Sequence, residues 1–190
     1  MHVDDDRRSR KPNWDAAPAP YRKGGMPMEL IDNDLRLRPI ALPQDVAAAV
    51  PWYQDPEVLY YSEGGASSKP YDYEKVQAMY NYLLNKAEVY IIEVDTKDGW
   101  LPIGDVALFH ESGVPIVIGN PEYRSKGIGK RVMRLIINRA KVLGRTNIRT
   151  NGIYIFNKRS RRLFESLGFT IAESFADDDG NECYRFNLKL

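Results

Sequence analysis

A chain of 190 residues with a net charge of +1, 43% hydrophobic and 28% charged, has ordinary values for one globular domain and no polyelectrolyte character that would suit nucleic acid. One cysteine, Cys183, excludes an intrachain disulfide. Two histidines, His2 and His110, leave scant material for a zinc cluster or a serine-histidine-aspartate triad. No apolar run reaches the ~18 residues of a membrane span, and the amino-terminal stretch lacks the apolar core of a secretory signal, so a cytoplasmic location is expected.

Residues 1–28 are rich in Pro, Gly, Arg and Asp and carry no period, which predicts a flexible extension before a folded domain over 29–190. Within it Trp14 and Tyr21 are candidates to dock on a neighbouring copy of the chain, so a homodimer stays among the expected assemblies. DLRLRPI (34–40) alternates apolar and charged residues as a strand does. Residues 42–65 read as a short helix and an irregular stretch broken by Pro51 and Pro56. After Pro70, the positions Val76, Met79, Tyr80, Leu83, Leu84 and Ala87 form one helical stripe.

EVYIIEVD (88–95) and LPIGDVALFH (101–110) predict a hairpin, followed by VPIVIG (114–119), whose continuous apolar run predicts a strand buried on both faces. A helix over 126–144 buries Ile128, Val132, Leu135, Ile136, Ala140 and Leu143, and Gly144 closes it. NIRTNGIYIFN (147–157) reads as a strand, KRSRRLFESLG (158–168) as a short helix, and the remainder as a hairpin around ADDDGN. The order predicts an α+β fold: a mixed, mostly antiparallel central sheet of about six to seven strands with helices on both faces.

RSKGIGK (124–130) fails as a Walker loop, since Arg131 follows Gly129-Lys130 where Ser or Thr is needed. It fails as a dinucleotide fingerprint, since Val132 stands where the third glycine belongs. What remains is R-x-x-G-x-G at Arg124, Gly127 and Gly129. A helix start leaves amides without partners, and their partial positive charge favours an anion. Two glycines clear the side chains that would hold a diphosphate away, and Arg124 with Lys126 or Lys130 adds charge. Between Tyr123 and Phe164 there is no Asp or Glu among many lysines and arginines, which reads either as a solvated basic face or as a well for a phosphorylated ligand.

NPEYRSKGIGKRVMRLIINRAKVLG, a strand, and NKRSRRLFESLGF together resemble the acetyl-CoA-binding half of the GNAT superfamily of N-acetyltransferases. The first part resembles its R/Q-x-x-G-x-G/A motif. The second resembles its later pattern at Asn157, Ser160, Leu163, Phe164, Gly168 and Phe169.

The resemblance implies acetyl-CoA as cosubstrate, no metal, and a V-shaped opening where the strands at 114–119 and 147–156 splay. It implies that the pantetheine arm pairs with Val117, Ile118 and Gly119, that the amides of Lys126, Gly127, Ile128, Gly129 and Lys130 hold the diphosphate, and that Arg124 and Ser125 belong to the same cofactor-binding loop. Asn157, Ser160 and Phe164 complete the implied cofactor wall, and an amide near Ile118 or Gly119 would meet the oxyanion. A neutral amine, from a small molecule or a peptide, would attack the thioester directly.

Many relatives carry a tyrosine acid where this chain has Phe164; Tyr154 is a substitute donor. Asp105, Glu63, Glu93 and Glu111 are candidate bases, and water alone could also serve. Trp52, Tyr53, Tyr60 and Tyr61 beside Glu63 suit either an amine pocket or a packed lid. The stretch also resembles aminoglycoside-modifying members, but Pro115 stands where those carry an aspartate. The rival reading is a non-catalytic acyl-CoA-binding or nucleic-acid-binding module; the apolar stripe of helix 126–144, needed for a core, weighs against the nucleic acid.

Overall fold

Alternation along Val89–Val94 feeds two cores at once: Tyr90, Ile92 and Val94 enter one, Val89 and Ile91 the other. This is β3 (Ala87–Thr96), the middle strand of a five-stranded sheet ordered β1-β2-β3-β4-β5, with β1 Leu30–Asp32, β2 Leu35–Pro39, β4 Gly99–Phe109 and β5 Ile116–Ile118. The computed structural model describes residues 27–65, 69–111 and 113–190. The expected extension, with Trp14 and Tyr21, lies outside the described residues apart from its last two positions.

One face of this sheet carries α4 (Ile128–Val142), whose Val132, Met133, Ile136 and Ala140 are wholly buried. The other carries α1 (Gln44–Ala49), a 3₁₀ turn (Trp52–Gln54), α2 (Pro56–Glu63) and α3 (Tyr73–Leu84). A second sheet is built on β9 (Glu182–Lys189), flanked on one side by β6 (Asn147–Arg149) and β7 (Ile153–Tyr154) and on the other by β8 (Thr170–Ala176); α5 (Lys158–Glu165) joins β7 to β8. The fold is α+β, and every described strand pairing is antiparallel, with helices on both faces of the larger sheet.

Several local expectations give way to packing. In α3, Leu84 is 37% exposed and Ala87 belongs to β3, because the helix ends at Leu84 before another turn can face the core. The β1 strand has no sequence signature; Asn33 in the left-handed region (φ 53) turns it back on β2. Strand 147–157 is interrupted. Arg149 pairs with Asn187 and Ile153 with Tyr184, so four steps on one side match three on β9. The extra residue makes a bulge, in which the Thr150 hydroxyl accepts the Phe186 amide at 2.9 Å.

The α2 helix follows its sequence signals closely. Asp55 caps it by accepting from the amides of Glu57 (2.7 Å) and Val58, Pro56 opens it, and Gly64 (φ 89) ends it. Glycine is required at the end for a second reason: a Cβ on Gly64 would lie 2.7 Å from the Tyr154 hydroxyl.

Candidate active site

β5 and β7 belong to different sheets and share no ladder. The edge of β5 is therefore open, and all three of its residues are half-buried. A strand covered on both faces was expected from its apolar run; the open seam explains the difference. A cavity of about 500 Å³ fills this gap, within the size range of small-molecule sites.

The path of β5 depends on glycine at two contacts. Ala107 donates to Pro115 O and Asn120 to Ile103 O, a change of parity that marks a bulge near the strand's end. Gly104 on β4 allows it, since a Cβ there would lie 2.1 Å from Val117 O. Gly119 similarly admits Trp52: its Cβ would lie 2.1 Å from the indole Cγ.

The loop leading into α4 forms one end of the cavity. Ser125 (φ 59) and Gly127 (φ 79) take left-handed conformations, and Lys130 and Arg131 both donate to Gly127 O. The amides of Ile128 and Gly129 open the helix, where no preceding turn offers them carbonyls. At Gly127 an added Cβ meets nothing within 4 Å; at Gly129 it meets Leu163 at 3.3 Å. Facing the loop, Asn157 caps α5 through Oδ1, which accepts the Ser160 amide at 3.0 Å, leaving its Nδ2 hydrogens as what it can offer a ligand.

The structure brings most of the expected cofactor residues to this one cavity. Val117 and Ile118, Arg124 and Ser125, residues 127–130, and Asn157, Ser160 and Phe164 all line it; Gly119 and Lys126 do not. Lys126 instead holds its ammonium 5.5 Å from the Tyr123 ring centroid. Phe164 is 2% exposed and meets Phe169 edge-on at 5.1 Å.

Arg124 has a use that its motif did not reveal. Its Nε donates to Ile118 O (2.9 Å) and Nη2 to Gly119 O (2.6 Å), while Nη2 and Nη1 also reach Asp55 (2.9 Å) and Glu57 (2.8 Å). Its charge is thereby matched by two carboxylates, and its planar fork ties the end of β5 to the start of α2. Glu57 also pairs with Arg159 of α5, so one carboxylate links both sides of the gap.

None of the candidate proton-transfer groups, Tyr154, Asp105, Glu63, Glu93 and Glu111, is a lining residue. Glu63 accepts from the Tyr71 hydroxyl at 2.8 Å. The Tyr154 phenol, stacked on Phe156 at 5.0 Å, is raised above its ordinary value by burial and the Asp177 charge. Asp105 is 6% exposed and accepts from the hydroxyls of Tyr53 (2.8 Å) and Tyr80 (2.7 Å). Burial pushes its carboxyl up to about 6, against the pull of the Tyr80 and Tyr53 hydrogen bonds.

Glu93, also considered, is held by Arg36 (2.6 Å) and Arg38 (3.1 Å). Trp52 and Tyr53 are core residues of the helical layer, whereas Tyr60 is 39% exposed and Tyr61 lines the cavity.

The raised Asp105 carboxyl carries a sign. The folded state holds the proton more tightly than the unfolded chain, so the stabilisation is full below about pH 4 and is lost as pH rises through about 6. From this group alone, stability should fall by on the order of 3 kcal/mol between pH 4 and pH 7. Urea unfolding of Asp105→Asn across that range should lose most of this slope; an unchanged slope would assign it elsewhere.

A family model described as an acetyltransferase (GNAT) domain matches residues 34–170, and the chain belongs to that family. Solved structures agree in fold. A domain from Methanocaldococcus jannaschii superposes with a TM-score of 0.68 at 22% identity, covering 83% of this chain and 100% of that one. A GNAT-family acetyltransferase from Bacillus anthracis gives 0.70 at 17% identity, over 85% and 98%. An aminoglycoside acetyltransferase, AAC(6')-Ib, in complex with coenzyme A gives 0.65 at 19% identity, over 82% and 94%. No curated protein matches the chain. Among the described residues no helix is long and apolar enough to cross a membrane, and no cluster of His, Cys, Asp and Glu could hold a metal.

Proposed function

We propose that this chain is an acetyl-CoA-dependent N-acetyltransferase that joins an acetyl group to a primary amine by direct attack in a ternary complex. The observation that carries the reading is the cavity in the unladdered seam, with the glycine loop and the start of α4 at one end and Asn157 on the opposing wall. The solved relative bound to coenzyme A supports the choice of cosubstrate.

In this reading the amides of residues 126–129 hold the diphosphate, the Lys130 amide being taken by Gly127 O, and the open edge of β5 at Val117 and Ile118 aligns the pantetheine arm. The Asn157 Nδ2 hydrogens donate to it. The amine nitrogen bonds to the acetyl carbon, the carbon–sulfur bond breaks, and the amine's proton passes to solvent. An amide at the β5 bulge, of Ile118 or Gly119, faces the developing oxyanion, and fixed donors of this kind supply a large share of rate enhancement. Holding both reactants in one cleft supplies much of the remainder.

Phe164 has no proton to give, so the thiolate leaves unprotonated or takes a proton from Tyr154 or water. Asp105→Asn, Glu63→Gln and Tyr154→Phe report any direct part those groups take through the pH profile of turnover.

The test is free-thiol release from acetyl-CoA over an amine panel, paired with calorimetric binding of acetyl-CoA. Binding with acceptor-dependent thiol release is the expected result. Binding without release from any amine would make the chain an acyl-CoA-binding module, and no binding would remove the reading altogether.

A further inference from the structure

Two consecutive carbonyls at the end of β5, those of Ile118 and Gly119, point the same way, which the alternation of a regular ladder forbids. Phe109 and Ala107 donate to Gly113 O and Pro115 O, and the register continues through Asp105 with Val117 and Gly104 with Ile118. Odd-numbered residues here therefore turn their amide and carbonyl to β4, and Ile116 and Ile118 turn theirs to the open edge. Next in register, Gly119 should donate to Ile103 O; Asn120 does so instead, at 2.9 Å. Gly119 is thus the extra residue of the bulge. Its carbonyl lies opposite the Asn120 amide across a flat peptide, and so turns outward beside that of Ile118.

Arg124 meets both carbonyls, with Nε on Ile118 O at 2.9 Å and Nη2 on Gly119 O at 2.6 Å. In a planar trans peptide, holding the Ile118 carbonyl outward holds the Gly119 amide inward, toward β4. The Ile118 amide, one peptide earlier, stays on the open edge, because Val117 O faces β4 close to Gly104, where a Cβ would lie 2.1 Å from it. Without a donor, the two outward carbonyls would face the ligand's own oxygens, and the glycine between them is free to rotate. The guanidinium has little charge to spare for a phosphate. Asp55 and Glu57 hold it at 2.9 and 2.8 Å, and its side chain is 10% exposed.

We propose that Arg124 is a positioning residue for acetyl transfer and not a ligand of the diphosphate. It fixes the bulge so that the Ile118 amide, and not that of Gly119, is the donor the acetyl oxygen meets. This rests on the acetyl-transfer reading of the cavity and names the donor within it. A small rotation of the bulge displaces that donor from the reacting carbon, and misplacement on the order of 1 Å costs rate steeply.

The first measurement needs no variant. Amide hydrogen exchange of the unsubstituted chain, followed by NMR, should show Ile118 slowed at least about tenfold by saturating acetyl-CoA, while Gly119, already turned to β4, changes less than about twofold. The second uses Arg124→Lys, which keeps a charge but loses the fork. Its kcat should fall at least about tenfold while its calorimetric affinity for acetyl-CoA stays within about threefold. Asp55→Asn keeps a capping oxygen for α2 and loosens only the tie to that helix, so kcat should stay within about twofold. Protection of Gly119 in place of Ile118 overturns the assignment. So does a lysine variant that turns over like the unsubstituted chain or that loses affinity alone, and so does an Asp55 variant that loses as much kcat as the lysine variant. Failure of the unsubstituted chain to bind acetyl-CoA is a different result, and sinks the reading beneath this one.

Discussion

Gly127→Glu is expected to abolish acetyl-CoA binding, with a loss of affinity of ~100-fold or more by calorimetry. Two effects combine. Gly127 sits at φ 79, so any side chain there strains the backbone, by roughly 1–2 kcal/mol. The glutamate would also stand beside the amides of Ile128 and Gly129, where it satisfies their partial charge and repels the diphosphate meant for them.

Gly127→Ala isolates the first effect, because the added methyl meets nothing within 4 Å. That variant should lose about 1–2 kcal/mol of stability and keep most of its affinity. Calorimetry that finds the glutamate variant binding like the unsubstituted chain would move the phosphate site away from this loop.

The largest effect on stability is expected at Arg139, far from the glycine loop. Its Nε and Nη2 grip Glu88 at 2.9 and 2.6 Å, and the Tyr90 hydroxyl adds a third bond at 2.7 Å. Arg139 is 8% exposed and Glu88 3%. Burial alone would raise the Glu88 carboxyl, but the Arg139 fork and the Tyr90 hydroxyl outweigh it, so it lies below its ordinary value. This stabilisation is therefore present above the unfolded value of 4.5 and is lost as pH falls through the folded one.

Arg139→Met leaves a buried carboxylate with the Tyr90 hydroxyl and the Arg145 charge but without its bidentate partner. Urea unfolding at pH 7 should show a loss of about 3–5 kcal/mol, since breaking one side of a buried pair strands the other. The deficit should shrink on acidification, as Glu88 takes up a proton. Adding Glu88→Gln to the same chain should restore most of the loss; a double variant as unstable as the single one would point to packing instead of charge.

The loop and the Asn157 wall were legible because they are local patterns. Glycines at fixed spacing, a helix start and a capping asparagine need only neighbouring residues to be read. The uses of Arg124 were hidden for the opposite reason. Asp55 and Glu57 lie 69 and 67 positions away from it, and nothing in RSKGIGK announces them.

The same holds for Gly104 and Gly119. Each glycine is visible in the sequence, but the Val117 carbonyl and the Trp52 ring that require them come from other elements. Strand β5 was read by its apolar content, which reports burial on average but not whether an edge will be paired. The aromatic stretch from Trp52 to Tyr61 divides between core and cavity wall according to where α2 begins. That boundary is set by Asp55 and Pro56, so those two residues decide which rings a ligand can touch.

Because β5 and β7 lie in separate sheets, the two halves of the molecule lean on each other across this line through side chains. Prising such a joint apart breaks no rung of either sheet, but it would part Ile148, Ile153 and Phe186 from the buried cluster they share with Tyr90, Val106, Leu108 and Met133, so apolar packing and not backbone pairing is what sets the width of the seam.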